Sequence, residues 1–458
     1  MRTNLVGVFA ALLLSAAPPV AAQTPCEPDW CAVGGPFSEE AILFSLAVFN
    51  AGDGPKLYAG GEFYEVEGRP ARNLAAWDGR RWTPVDSDAN RRVTMLKVID
   101  EETGPVLYVG GSSYSAEEGT TVFFAKFDGV SWTPIPGLLR DPGWFTSGVY
   151  DVAWFDSGGG PELYVGGWFT IAGNPPGGRA IARLTASGFE PLGTGLTPIP
   201  GYTLGVGALQ VFDDGLGAAL YVGGSFLDAG GHRVRNVARW DGRNWSPVGA
   251  GLPESYPIVY APTVSSLVPW SDEDGPVLLA CGDIVVGARQ GIAGWRGTQW
   301  IADYGHFLPD GVIRLRAVDL GEGPTLVASG RFTSVDGQPA PFLARRQGDA
   351  WEPIGFGLLR TDTVALESVA FDDGRGPALF VGGRRFGHTE WPSAQVPIGR
   401  FGVVRADLDC DGAVSITDLT ILLSAFEESD GGDLDSDGQT TLEDLAILLS
   451  KFGNECGE

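Results

Sequence analysis

The chain has 458 residues, 44% of them hydrophobic, with 57 Asp and Glu against 31 Lys and Arg and a formal charge of −26. That length and apolar content allow a large core and more than one domain. The acidic balance repels phosphate backbones, so nucleic acid is excluded as an expected partner, while carboxylates are plentiful for a hard cation.

Residues 1–22 read as a secretory signal peptide. Arg2 precedes an apolar run from Leu5 to Ala17, and Val20-Ala21-Ala22 supplies small residues before a cut at Gln23. The run is too short to span a bilayer comfortably, and no later stretch approaches that length. The mature protein is expected to be exported, secreted or attached at a cell surface. Export permits disulfides among the five cysteines, and Cys26–Cys31 and Cys410–Cys456 are the favoured pairs, each clasping one terminus. Cys281 then remains as a buried, inert thiol in an apolar strand.

From residue 26 to residue 405 the chain repeats. Leu57-Tyr-Ala-Gly-Gly61 returns as Leu107–Gly111, Leu163–Gly167 and Leu220–Gly224, with weaker copies at Leu278–Gly282, Leu326–Gly330 and Leu379–Gly383. The leading leucines lie 50, 56, 57, 58, 48 and 53 residues apart, giving seven repeats near the period of some propeller blades. Each repeat divides into four short segments, in the fourth repeat Val206–Phe212, Leu220–Ser225, Asn236–Trp240 and Trp245–Val248. Such segments joined by Asp-Gly and Gly-Gly turns predict an antiparallel meander.

The seventh repeat lacks a fourth segment, and Trp30-Cys-Ala-Val-Gly-Gly35 matches Trp245-Ser-Pro-Val-Gly249 in register. The predicted fold is therefore all-β, a seven-bladed β-propeller whose N-terminal strand closes the last blade, with a small helical domain behind it. Paired glycines suit close backbone approach. Trp77, Trp82, Trp132, Trp240, Trp245, Trp295, Trp300 and Trp351 recur where blades should pack on one another. Acidic turns such as Asp53-Gly-Pro55 read as hairpin tips.

Leu220–Phe226, Asn236-Val-Ala-Arg-Trp-Asp-Gly242 and Trp245-Ser-Pro-Val-Gly249 resemble a repeat of exported bacterial propellers and are similar to the fungal cortical-marker (bud-site polarity) family. The resemblance spans about four fifths of the chain and implies a kelch-like propeller. Repeats three, five and six lack the Trp-Asp-Gly turn, so architecture alone is matched, and propellers host many activities.

Residues 406–456 change character. Asp407-Leu-Asp409-Cys-Asp411-Gly-Ala413-Val-Ser415-Ile-Thr-Asp418 sets carboxylates at positions 1, 3, 5 and 12 around a glycine at position 6. Calcium needs six to eight oxygens, and this spacing wraps them round one ion, with the Ala413 carbonyl at position 7 and Ser415 at position 9. The arrangement returns 26 residues later in Asp433, Asp435, Asp437, Gln439, Thr441 and Asp444. Two Ca2+ ions are the expected cofactors. Each loop continues into an apolar helix, Asp418–Phe426 and Asp444–Phe452, whose leucines and phenylalanines are expected mostly to pack the two halves together.

Duplicated calcium loops, one following helix each and a closing Asp make residues 406–456 resemble a type I dockerin. The resemblance covers about a ninth of the chain and implies docking to a cohesin-like receptor protein. In that family the residues at loop positions 10 and 11 read the partner, which are Ile416, Thr417, Leu442 and Glu443 in this chain. They differ from the Ser-Thr pairs of well-known cellulosomal dockerins.

Motifs for chemistry are scarce. The three histidines, His232, His306 and His388, fall at unrelated repeat positions, and no nucleophile elbow, zinc helix or phosphate loop appears. Asn244-Trp-Ser246 is formally a glycosylation acceptor on a predicted strand. The favoured reading is a non-catalytic binding or scaffold protein whose propeller offers a glycan- or protein-binding face and whose tail tethers it to an extracellular assembly. The alternative is an extracellular carbohydrate-active enzyme, a glycoside hydrolase or lyase, with paired carboxylates at the propeller mouth.

Overall fold

A computed structural model of the chain describes residues 29–86, 92–113, 121–141, 147–201, 203–253, 263–286, 289–302, 304–309, 311–321, 323–354, 364–386, 396–402, 407–408, 414–426, 434 and 439–452. The signal-peptide reading of residues 1–22 and the pairings Cys26–Cys31 and Cys410–Cys456 involve positions outside these. The chain divides into two compact units with a boundary between residues 403 and 404. The first is all-β; the second carries two helices.

Among the described residues, the first unit is built on seven four-stranded antiparallel meanders, with shorter strand pairs beside them. Their first strands are Ile42–Asn50, Arg92–Glu101, Ser147–Asp156, Gly205–Asp213, Val264–Asp272, Val312–Asp319 and Val364–Asp372. The repeated Leu-Tyr-Val-Gly-Gly phrase forms the second strand, as in Ala218–Ser225, which pairs Leu220 with Val211 on one side and Trp240 on the other. The first strand of each meander lies against that of the next, and Val364–Asp372 lies against Ile42–Asn50, so the order closes on itself. The fourth strand of the seventh meander comes from the other end of the chain: Asp29–Ala32 pairs with Val396–Gly402, Trp30 opposite Phe401 and Cys31 opposite Arg400.

The glycine pair has two separate jobs. A Cβ on Gly61 would stand 2.1 Å from the Ile42 carbonyl oxygen, and one on Gly224 would stand 2.1 Å from that of Gly205. The second glycine thus lets the first strand of its own meander approach. The first glycine admits the neighbour: a Cβ on Gly60 would meet Val93, and one on Gly223 would meet Val264, both in the next meander.

In five of the seven meanders a fourth-strand tryptophan ties the sheet to the one before. Trp245 Nε1 donates to the Leu192 carbonyl at 2.9 Å, Trp300 to Val248 at 3.0 Å and Trp351 to Tyr304 at 2.9 Å. Each acceptor follows the fourth strand of the preceding meander. Trp82 does the same across the chain closure, donating to Val33 at 2.9 Å just after Asp29–Ala32. These tryptophans are packed between sheets, and six of the eight singled out from the sequence are buried. A sugar-stacking platform needs an open ring face, which they do not offer.

The acidic turns are stapled by their own backbone. Asp156 Oδ1 accepts from Gly158 and Gly160, Asp213 Oδ1 from Gly215 and Gly217, and Asp319 Oδ1 from Gly321 and Gly323. A short acid two residues before a glycine closes the turn without help from a partner strand. Asn244 sits in such an exposed turn, its N–H donating to Asp241 Oδ1 at 2.7 Å; the strand expected there starts one residue later, at Trp245.

Candidate functional site

The second unit is built twice from the same plan. Ser415 caps the helix Ile416–Ala425 (α1), its hydroxyl accepting from Thr417 N, and Thr441 caps Leu442–Lys451 (α2) by accepting from Glu443 N. Both helices begin two residues earlier than the apolar spacing alone predicts. Asp418 and Asp444 therefore lie inside the first turn, where a carboxylate faces the exposed N–H groups and the positive end of the helix.

Each of these acids also ties its loop shut. Asp418 Oδ2 accepts from Ser415 N at 2.7 Å and Oδ1 from Leu408 N at 2.5 Å. Asp444 repeats this with Thr441 N at 2.7 Å and Leu434 N at 2.6 Å. Loop positions 2, 9 and 12 are thus joined identically in both copies. Both carboxylates are fully buried, at 0% exposure, and Asp407 at position 1 is also buried. Burying a carboxylate is costly unless hydrogen bonds and an opposite charge compensate. The donor set is all hard oxygen, the chemistry that suits calcium.

Of the twelve residues read as ligands, Asp407, Ser415, Asp418, Gln439, Thr441 and Asp444 lie among the described residues. Asp409, Asp411, Ala413, Asp433, Asp435 and Asp437 lie outside them. Among the described residues, no group of three His, Cys, Asp or Glu is gathered as a metal would require. The Ser415 and Thr441 hydroxyls are engaged as helix caps, as described above. His232 lies in the short strand His232–Arg233 and His306 in an isolated bridge with Gly291, so the two stand apart.

The four residues read as partner-binding are all at the surface. Ile416 is 67% exposed and Leu442 68%, beside exposed Thr417 and Glu443. Most of the helical apolar residues pack inward, as expected. Leu422 and Leu448 are buried with Val414 and Leu434, and Leu419, Phe426 and Leu445 lie half-buried against them. Leu423 and Leu449 point outward instead, at 53% and 54% exposure, and Phe452 is exposed too. Leu423 stands seven residues after Ile416, two helical turns along the same face, as Leu449 does after Leu442. Helical spacing recorded both stripes; only packing tells which faces the core.

The first unit holds a second candidate. Every first strand carries a register shift at the same place, as between Val149 and Asp151 or between Val312 and Arg314. A bulge re-aims the residue that follows it. Residues of all seven first strands line one cavity of about 350 Å3, among them Lys97, Asp151, Arg314, Arg316 and Glu367. Sequence reasoning passed over these residues, yet each is a charge inside an apolar strand, as in Val149-Tyr-Asp-Val-Ala153.

Cys281 is free and buried, and burial pushes its thiol up to about 12, so it is inert as expected. Among the described residues no helix is long and apolar enough to cross a membrane.

No family model matches the chain, and no curated protein matches it. Among solved structures it is similar to the extracellular domain of a putative one component system from B. thetaiotaomicron, at 11% identity and a TM-score of 0.22. That match covers 78% of this chain, which spans 57% of the length of the other.

Proposed function

We propose that this is an exported, non-catalytic binding protein in which a seven-bladed β-propeller is joined to a calcium-ordered, dockerin-like tail. The tail tethers the propeller to a cohesin-like receptor in an extracellular assembly. Asp407, Asp409, Asp411 and Asp418, with the Ala413 carbonyl and Ser415, would hold one Ca2+; Asp433, Asp435, Asp437, Gln439, Thr441 and Asp444 would hold the other. Bound calcium supplies the positive charge that buried carboxylates need, and so orders the loops from which the helices start.

The observation that carries this reading is the duplicate closure by Asp418 and Asp444, each buried and each accepting from loop positions 2 and 9. A lone acidic loop has no reason to be copied to within a tenth of an ångström. The exposed pairs Ile416 and Leu442, and Leu423 and Leu449, support a docking face because such apolar side chains gain by being covered.

The test uses the full chain. Chelation should abolish the helical far-UV signal while the strand signal persists, and added calcium should restore it. Calcium titration that leaves helix content and heat unchanged would remove the reading.

A further inference from the structure

The cavity of the first unit carries a charge opposite to the rest of the protein. Its lining includes three cations, Lys97, Arg314 and Arg316, and two carboxylates, Asp151 and Glu367, a balance of 3 − 2 = +1 in a chain of −26. What matters is how these five groups pair.

Four of the five are matched. Lys97 Nζ donates to Asp151 Oδ1 at 2.7 Å, and Asp151 Oδ2 accepts from Leu209 N at 2.8 Å. Arg316 grips Glu367 through Nε and Nη2 at 2.8 and 2.6 Å, a bidentate pair on a carboxylate whose side chain is 3% exposed. Arg314 shares Glu367 with Arg316, which leaves one positive charge in excess. Its Nη1 donates to the Ser265 carbonyl at 2.5 Å, its Nε stands 3.7 Å from Glu367, beyond hydrogen-bond distance, and its Nη2 makes no hydrogen bond among the described residues. The side chain is 17% exposed. A mostly buried guanidinium that has only a long contact to a carboxylate already gripped by another arginine is incompletely compensated, and an anion entering the cavity would relieve that cost.

The neutral groups nearby suit hydroxyls. Thr94 Oγ1 donates to the Val149 carbonyl at 2.9 Å and Ser265 Oγ to that of Ile313 at 2.7 Å, leaving both as acceptors. Gln210 Nε2 donates to Val211, and its carboxamide oxygen makes no hydrogen bond among the described residues. The volume is at the small end of the range for ligand sites.

We infer that this cavity binds a small hydroxylated carboxylate of monosaccharide size, such as an acidic sugar, with Arg314 holding the carboxylate and Gln210, Thr94 and Ser265 meeting the hydroxyls. The inference deepens the binding-protein reading but needs only the strand-built unit, so failure of the calcium test leaves it standing and the reverse also holds.

Calorimetry on the full chain with D-glucuronate, D-glucose and acetate tests it. Glucuronate should bind saturably at one site, with glucose and acetate at least roughly tenfold weaker; Arg314→Met should lose roughly tenfold or more and Arg314→Lys less. If Arg314→Met does not fold, Gln210→Leu carries the test, expected to weaken glucuronate several-fold while the thermal midpoint without ligand holds. Glucose or acetate binding as tightly as glucuronate, no saturable heat, or a folded variant that binds like the parent would each overturn it.

Discussion

In residues 28–403 every sheet leans on two others, whereas in residues 404–455 two ten-residue helices share a small core in which, among the described residues, Val414, Leu422, Ala425, Leu434 and Leu448 are the buried apolar side chains. The larger unit is held by contacts between distant parts of the sequence, such as Trp82 to Val33. The smaller unit has too little apolar area to stand on burial alone, since a core of that size rarely supplies more than about 3–5 kcal/mol. Its remaining order must come from polar closure of the loops. The two units should therefore fail separately and for different reasons.

Replacing one closing acid gives the largest expected effect. Asp418→Ala strands the N–H groups of Leu408 and Ser415, each worth about 1–3 kcal/mol when left unpaired in a buried setting. That loss rivals the whole stability of the unit, so the helical far-UV signal should vanish while the strand-built unit keeps its thermal midpoint. Asp444→Ala should do the same from the other loop. A variant that keeps both helices would mean that the apolar core suffices, and the comparison would break.

The chain closure offers a smaller lever on the other side. Trp82→Phe removes the indole donor to Val33 and leaves a partial void, at a cost of about 2–3 kcal/mol. Amide exchange should quicken in Asp29–Ala32 and Val396–Gly402, because the strand from the N-terminal end loses an anchor to the first meander. Trp132→Phe is the control: its ring is half-buried and its bond to the Asp86 carbonyl is exposed, so about 1 kcal/mol or less is expected. Equal losses in the two variants would mean that closure has no special weight.

How much of this was legible in the sequence differs between the units. The meanders and the register of Trp30 with Trp245 were readable because each repeat displays the same turn glycines and strand lengths seven times. The closing acids Asp418 and Asp444 were readable because a spacing repeated 26 residues apart is a local property of the sequence. What escaped was set by packing across the chain. Leu423 and Leu422 are neighbours with the same side chain, and only the partner helix decides that one is buried and the other exposed. Arg314 and Glu367 read as odd charges in apolar strands; their meeting depends on first strands some fifty residues apart lying side by side. The helix starts shifted by two residues because a cap and its acid, rather than apolar spacing, fix where a helix begins.

The repeat tyrosines give the finest separation of the two units, since residues 404–455 contain none. Burial pushes the Tyr58 phenol up to about 12, with the charge of Asp53 adding to it, and burial followed by a hydrogen bond to Asp272 does the same to Tyr304. Tyr108, Tyr164 and Tyr221 are raised as well, burial again the first cause. A phenol with a raised folded value keeps its proton after the unfolded chain has lost its own. The folded state then binds more protons between pH 10 and 12, so this stability is intact below pH 10 and drains as pH climbs toward 12. At pH 11 each such tyrosine should cost on the order of 1 kcal/mol. The strand-built unit should lose thermal stability from pH 9 to 11 through these groups, a loss the helical unit does not share. Tyr58→Phe should flatten that slope by about one proton's worth, read from thermal midpoints at stepped pH. A slope unchanged in the variant would place the alkaline sensitivity elsewhere than in the buried phenols of the repeat.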